Sequence, residues 1–250
     1  MPKEKKKKSQ EGDEIVLNLD SFVVPLSIVL AGVIIAGAIF FTNNKSGNPV
    51  VEDTDTGNNV AQEEFPAAET TISDAPFLGD KSKARIAIVE YTDYQCSFCQ
   101  RHDQETKSQL IEEYVDTGKA IYVFREFPLE FHGQLAIDSA NAALCVNEIS
   151  GIDKFFEFHS KIFMVADNDA LTKVAQDMGI DMNKFNTCMS EERYADKIDE
   201  GLADGAKAGV QGTPGFVVGV LDEDGNVNGK LIAGAYPFES FAQIIDELLK

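Results

Sequence analysis

The chain has 250 residues, with 42 acidic and 22 basic side chains and a formal net charge of -20. A surface with this charge repels phosphates, which argues against nucleic-acid binding. Hydrophobic residues make up 44% of the chain, so it can bury a core and is not disordered throughout. The length suits one domain with appendages, or two small domains.

The N-terminal segment combines a lysine cluster with a long apolar run. Five lysines lie within the first eight residues, and "FVVPLSIVLAGVIIAGAIFF" at 22–41 has no charged residue. Twenty helical residues span about 30 Å, the thickness of a bilayer core. We therefore expect a cytoplasmic tail at 1–21 and a single transmembrane anchor at 22–42, with the rest of the chain outside the cytoplasm.

A cleaved signal peptide is the alternative interpretation of this segment. The small residues "AGA" at 36–38 suit a cleavage site, but the apolar run exceeds the roughly 7–15 residues usual in signal peptides. The next segment, 43–74, is rich in Asn, Thr, Gly and acidic residues. It predicts a flexible acidic linker with a root-mean-square span of roughly 30 Å.

Residues 75–250 carry the patterns of a folded domain. A β-branched run at 84–92 predicts a strand, and the segment after it predicts a helix with Phe98 and Leu110 on its core side, stopped by Gly118. "AIYVFREFPL" predicts a second strand, ended by Pro128. Strand, helix and strand in this order predict a parallel pair with a right-handed crossover.

A helical region then runs from about 132 to 208, followed by a hairpin and a final helix. The hairpin is predicted from Phe216–Leu221 and Lys230–Ala233, with a turn at Asp224 and Gly225. The last fourteen residues have apolar side chains at helical spacing. The fold class is therefore α/β, with four core strands and a helical insertion in the middle.

Cys96 and Cys99 lie at the predicted strand-to-helix junction. Free N–H groups and the helix dipole at this position favour a thiolate and lower a cysteine pKa. Cys99 lies within the first turn, close enough to bridge Cys96, as thiol–disulfide exchange requires. A zinc site is disfavoured because the pair and His102 supply at most three ligands, and haem attachment needs a histidine where Gln100 stands. A purely structural disulfide remains open.

With this cysteine pair in place, the chain resembles the DsbA-like branch of the thioredoxin superfamily over about residues 74–250. Four blocks carry the resemblance in order: "DAPFLGDKSKARIAIVEYTDYQCSFC", "FREFPLEFHGQLAIDSANAALCVNE", "GVQGTPGFVVG" and "IAGAYPFESFAQIIDELL". The resemblance implies a thioredoxin-like fold with an inserted helical subdomain. It also implies a protein disulfide oxidoreductase with no cofactor beyond its own redox-active cysteine pair.

The resemblance assigns a role to each matching residue. It makes Cys96 the attacking thiolate and Cys99 the buried resolving cysteine. It makes Pro214 a cis-proline facing the pair, and the Thr213 backbone a binding element for an extended client peptide. Glu90 matches a buried carboxylate that relays a proton to or from Cys99; a strand acid facing solvent is the alternative.

Several aromatic residues and histidines are left with open roles. Phe98 and Tyr94 are candidates for lining an apolar client groove, with ordinary packing as the alternative. His102 is either a cation that stabilises the Cys96 thiolate or a histidine on the helix surface. His132 and His159 are expected to pack or cap within the helical region.

The remaining cysteines, Cys145 and Cys188, lie where some relatives carry a second pair. The resemblance and the expected oxidising compartment imply a structural disulfide between them, with two buried thiols as the alternative. Ser97 departs from the proline common after the first cysteine in relatives, which puts the redox potential in doubt.

The expected function is oxidation of cysteines in secreted or membrane clients, with a membrane partner that reoxidises the pair. A reductase or isomerase is the nearest alternative. A peptide-binding chaperone module without redox activity is an alternative of another class. No metal site is predicted.

Overall fold

The computed structural model describes residues 64–250. The predicted tail, the predicted membrane anchor at 22–42 and residues 43–63 of the predicted linker lie outside the described residues. Among the helices of the described part, none is long and apolar enough to cross a membrane.

One six-stranded sheet forms the centre of the domain, in the order β1-β6-β5-β3-β4-β2. Its strands are β1 Ala67–Thr71, β2 Phe77–Leu78, β3 Ile86–Thr92, β4 Ala120–Glu126, β5 Gly215–Leu221 and β6 Asn226–Ala233. The predicted parallel pairing of β3 with β4 is confirmed, and every other neighbouring pair in this sheet is antiparallel.

Helices cover the sheet and form the insertion between β4 and β5. The first, α1, runs without a break from 97 to 115 as Ser97–His102, Asp103–Lys107, Ser108–Leu110 and Ile111–Val115, the second and fourth parts being π-helical. A 3-10 turn at Glu130–His132 precedes the others. These are α2 Gln134–Ser150, α3 Ile152–Lys161, α4 Asn168–Asp177, α5 Met182–Ser190, α6 Ala195–Lys207 and α7 Phe238–Leu248.

Strand β3 is buried on both faces, so its side chains divide between two apolar clusters. Ile86 and Ile88 face the cluster that includes the inserted helices and α7. Ala87, Val89 and Tyr91 face the second cluster, on the side of α6. Because side chains alternate along a strand, Glu90 points into the first cluster, the same side as Cys99.

Two glycines let α6 approach the end of β4. A Cβ atom added at Gly201 would lie 2.3 Å from the carbonyl oxygen of Glu126, and one at Gly205 would lie 2.5 Å from the Phe127 ring. Glycine disfavours a helix interior by about 1 kcal/mol relative to alanine. Close packing against the sheet is therefore the reason for glycine at these positions.

The structure corrects two parts of the sequence prediction. Residues 67–71 were assigned to the flexible linker, but they form edge strand β1 and pair with β6. This assignment is wrong because "AAETT" buries only Ala68, and backbone pairing rather than an apolar pattern holds it in place. Strand β6 begins at Asn226, so the hairpin loop is shorter than expected.

Candidate active site

Cys96 is the N-cap residue of α1, directly after the loop that follows β3. Asp93 shapes this loop: its carboxylate accepts the N–H of Gln95 at 2.7 Å, and its carbonyl accepts the N–H of Cys96 at 3.1 Å. The same carboxylate accepts the N–H of Leu129 at 2.7 Å and lies 2.7 Å from Nδ1 of His132. The buried Asp93 thus ties the loop to the segment after β4.

The surroundings of Cys96 favour its thiolate. The Cys99 thiol, the Thr213 side chain and the backbone N–H groups of Cys99 and Phe98 favour the thiolate and lower the pKa of Cys96 to about 5, against the opposing effect of burial. When protonated, the Cys96 thiol donates to the carbonyl oxygen of Thr213 at 3.2 Å. At neutral pH this sulfur is therefore a thiolate, at the helix end that best stabilises one.

Cys99 has the opposite character. It is completely buried, and burial raises its pKa well above the ordinary value, with further increases from the neighbouring Cys96 and from the charge of Glu90. In the reduced state, Cys96 is therefore ionised and Cys99 keeps its proton. Both cysteines are free thiols in this structure.

Glu90 lies beneath the pair with 1% of its surface exposed. Burial raises its pKa to about 7, while the charge of Lys107 and the hydroxyl groups of Tyr122 and Thr92 act in the opposite direction. The Tyr122 hydroxyl donates to Glu90 Oε2 at 2.7 Å. A carboxyl group with this pKa can both give and accept a proton at neutral pH.

The loop before β5 forms another side of the site, next to Cys96. The peptide bond between Thr213 and Pro214 is cis. A cavity of about 390 Å³ beside this loop is lined by Gln211, Gly212, Thr213, Pro214 and Leu231, among others. Phe98, 54% exposed, lies on the other side of Cys96, with the Arg101 guanidinium 4.9 Å from its ring centroid.

A family described as Thioredoxin matches this chain over residues 72–247, more than two thirds of its length. The chain belongs to this thioredoxin family. It is 25% identical over 208 residues to disulfide bond formation protein D of Bacillus subtilis, covering 79% of this chain and 85% of that protein. A relative from Rickettsia felis is 28% identical over 182 residues, covering 69% of this chain and 59% of the relative. The chain thus spans about three fifths of the length of its Rickettsia relatives.

Solved structures of DsbA proteins share this fold. The oxidised BdbD of Bacillus subtilis superposes with a TM-score of 0.63 at 20% identity, over 75% of this chain and 99% of that one. The α-DsbA1 of Wolbachia pipientis gives a TM-score of 0.59 at 24% identity, over 70% of this chain and 91% of that one. These likenesses bear out a thioredoxin-like fold with an inserted helical subdomain.

In this thioredoxin-family chain, three expectations about aromatic and histidine side chains are wrong. Tyr94 is completely buried and cannot line a client groove, because its hydroxyl lies 3.0 Å from Nδ1 of His159 inside the domain. His102 is neither on the surface nor charged, since burial among aromatic rings lowers its pKa to about 3. Phe98 is 54% exposed rather than on the core side of the helix, and its role in a client groove stays a prediction.

Sequence reasoning missed two residues of the site, Tyr122 and Glu126. Both lie on β4 with their side chains toward Glu90, and Glu126 is 4% exposed. An acidic residue in the apolar strand sequence "AIYVFRE" was the available signal. It was overlooked because the position is close to the strand end, where acids usually reach solvent.

The other cysteines form the second pair. Cys145 and Cys188 are joined by a disulfide across 43 residues of sequence, between α2 and α5. Both are completely buried. Within residues 64–250 there is also no cluster of three or more His, Cys, Asp or Glu side chains arranged to hold a metal ion.

Proposed function

We propose that the protein is a membrane-anchored, extracytoplasmic thiol–disulfide oxidoreductase that oxidises client cysteines. The observation that carries this proposal is the contrast between the two sulfurs, with a lowered pKa at Cys96 and a raised pKa at Cys99. A relative named disulfide bond formation protein D supports the same chemistry. The membrane anchor is proposed from the apolar run at 22–41 alone.

In the reaction, a client thiolate attacks the sulfur of Cys96 in the Cys96–Cys99 disulfide. A bond forms between the client sulfur and Cys96, and Cys99 leaves and takes up a proton. The second client thiolate then attacks the client sulfur of the mixed disulfide. Cys96 departs as a thiolate, and the client leaves with a new disulfide.

The lowered pKa of Cys96 supports the oxidising direction. A stabilised thiolate is a good leaving group, and it stabilises the reduced enzyme relative to its disulfide. The disulfide form is then a strong oxidant. To act repeatedly, it needs a partner that accepts two electrons, and we propose a membrane-bound, quinone-linked oxidase. Clients are cysteine-containing secreted or membrane proteins.

Refolding of a reduced, disulfide-requiring test protein measures this function. The oxidised protein is expected to accelerate disulfide formation, and Cys96→Ser to abolish the acceleration. The equilibrium with glutathione then gives the direction: a potential near about -120 mV indicates an oxidant, and one near about -270 mV a reductant. The oxidase proposal fails if the wild-type protein gives no acceleration or has the lower potential.

A further inference from the structure

The proposed function requires a proton to travel between the buried Cys99 and solvent. Each time Cys99 becomes a thiol it takes up one proton, and each time the pair is reoxidised it releases one. Cys99 is completely buried and Glu90, the carboxyl group beneath it, is 1% exposed. Glu90 must therefore exchange its proton with solvent through other groups, and two series of neighbouring polar side chains lead away from it.

The first chain ends inside the core. Tyr122 donates to Glu90, and Nε2 of His102 lies 2.9 Å from the Tyr122 hydroxyl. The other ring nitrogen of His102, Nδ1, is buried and has no hydrogen-bond partner in the described part of the chain. The rings of Phe216 and Phe241 pack against this histidine at 4.5 and 5.5 Å. A proton that reaches His102 has nowhere further to go.

The second chain starts from the alternation of β3. Glu90 and Thr92 lie on one face of the strand, and the Thr92 hydroxyl is buried without a hydrogen-bond partner in residues 64–250. Thr92 is the register partner of Glu126 on the parallel strand β4. Their side chains share a face, so the threonine lies between the two buried carboxyl groups. Oε2 of Glu126 has no hydrogen-bond partner in residues 64–250 and is free to receive one.

From Glu126 the chain continues to the surface. The Tyr94 hydroxyl lies 3.2 Å from Glu126 Oε1 and 3.0 Å from Nδ1 of His159. Nε2 of His159 also has no hydrogen-bond partner in the described residues, but it lies 3.7 Å from Oδ1 of Asp103, a gap that a small side-chain movement closes. Asp103 pairs with Lys107 and accepts the hydroxyl of Ser160 at 3.0 Å. Ser160 is exposed, so this chain reaches solvent.

The contacts at Tyr94 allow a proton to pass in either direction. In one arrangement Glu126 is a carboxylic acid that donates to the Tyr94 oxygen, and Tyr94 donates to His159. In the other, His159 Nδ1–H donates to Tyr94, and Tyr94 donates to an ionised Glu126. The heavy atoms occupy the same places in both, so reversing the hydrogen bonds moves one proton along the chain.

The charged groups around the chain favour the first arrangement. Burial raises the pKa of Glu126 well above its ordinary value, helped by the nearby charges of Glu90 and Asp93. Burial also lowers the pKa of His159 well below its ordinary value, helped by the charge of Lys107. At rest, Glu126 thus holds a proton close to Glu90 and His159 is neutral.

We propose that Thr92, Glu126, Tyr94 and His159 form the route by which Glu90 exchanges protons with solvent at Asp103 during each turnover. The route rests on the proposed thiol–disulfide exchange. When a client thiolate attacks Cys96, Glu90 gives its proton to the departing Cys99 sulfur. Glu126 restores the proton to Glu90 through Thr92, and one proton from solvent enters at Asp103 to replace it. Reoxidation sends one proton out along the same groups.

The test compares two tyrosine-to-phenylalanine variants, each of which removes one buried hydroxyl. Tyr94→Phe breaks the route. Tyr114→Phe is the control, because Tyr114 is 2% exposed and its hydroxyl bonds to Asp246, away from the cysteine pair. Stopped-flow reduction of the oxidised proteins by dithiothreitol is followed by thiolate absorbance. Proton uptake is followed in parallel with an indicator dye in weak buffer.

We expect Tyr94→Phe to slow reduction and proton uptake together by roughly tenfold near neutral pH, with a larger solvent deuterium isotope effect. Tyr114→Phe should match the wild type. If Tyr94→Phe keeps the wild-type rate, pH profile and isotope effect, the proposed route is wrong. A wild-type protein that dithiothreitol reduces no faster than it reduces oxidised glutathione would contradict the proposed function itself.

A variant of Glu126 covers the case in which Tyr94→Phe does not fold. Glu126→Gln keeps the size of the side chain but cannot store a proton, so we again expect roughly tenfold slower proton uptake. Its melting temperature, compared with that of the wild type, separates a structural effect from a kinetic one. Wild-type proton uptake in a folded Glu126→Gln protein would also overturn the proposal.

Discussion

The two cysteine pairs of this chain have nearly the same burial but opposite chemistry. Cys96 is 6% exposed and Cys99, Cys145 and Cys188 are completely buried. The first pair consists of free thiols three residues apart, and the second is a disulfide across 43 residues of sequence. Exposure alone therefore does not distinguish a redox site from a structural bridge.

The polar environment makes the difference. Cys96 is the N-cap residue of α1, where the Cys99 thiol and nearby backbone N–H groups lower its pKa, and its partner Cys99 is influenced by the charge of the buried Glu90. Cys145 lies inside α2 and Cys188 inside α5, within the main apolar cluster. Inside a helix the backbone N–H groups are already bonded, so neither sulfur has donors that would stabilise a thiolate. The first pair is built to react and the second to remain closed.

The largest expected effect is on activity. Cys96→Ser should reduce client oxidation to the uncatalysed rate, because the serine hydroxyl cannot form a disulfide. In the reduced protein at pH 4, where the Cys96 sulfur is protonated in both states, the free energy of unfolding should change by less than about 1 kcal/mol, since the substitution is then nearly isosteric. Activity in a refolding assay and unfolding in urea measure the two effects. Residual catalysis by Cys96→Ser would show that the first pair is not the reactive one.

Removing the second pair, Cys145 and Cys188, should instead lower the stability and leave the activity unchanged. In the chain-entropy model, a bridge across 43 residues contributes about 4 kcal/mol of stability. The double variant Cys145→Ala/Cys188→Ala should lose about that much free energy of unfolding and keep its activity per folded molecule. Urea unfolding under oxidising conditions checks the loss. Full stability together with lost activity would remove the contrast between the pairs.

Glu90→Gln should change how the free energy of unfolding depends on pH, because it removes the buried carboxyl group near the reactive pair. The folded-state pKa of Glu90 is raised to about 7, so its contribution to stability is present below about pH 4 and is lost as the pH rises through 7. Glutamine does not ionise. The variant should therefore gain about 3 kcal/mol relative to the wild type between pH 4.5 and 8.

Urea unfolding at a series of pH values measures this difference. A stability difference that stays constant over this range would show that Glu90 does not have a raised pKa.

The smallest effect is spectroscopic. Titration of the reduced protein, followed by thiolate absorbance, should show one thiolate with a midpoint near pH 5, because only Cys96 has a lowered pKa. Cys99 should stay protonated through neutral pH. Cys96→Ser should remove the transition. Two thiolates titrating together near about pH 8.5 would contradict the asymmetry between the sulfurs.

Much of the site was predictable from local patterns. The strand before Cys96, the helix after it and the parallel pairing of β3 with β4 follow from apolar periodicity and chain order. The resemblance to known proteins supplied Glu90, Pro214 and the second cysteine pair. The placements of Tyr94 and His102 were wrong, because periodicity near a strand end or a helix start does not show which side chains the inserted helices will cover.

The sequence by itself determined where a thiolate would form, because a cysteine at a strand-to-helix junction meets free N–H groups whatever surrounds it. It also determined the parallel pairing of β3 with β4, through the strand–helix–strand order, and the β5–β6 hairpin, through its short turn. Only the tertiary structure decided which side chains surround the buried acids Glu90 and Glu126. Thr92 meets Glu126 through strand register, and Tyr94 meets His159 across 65 residues of chain. Contacts between residues so far apart depend on how the inserted helices pack, which no local pattern encodes.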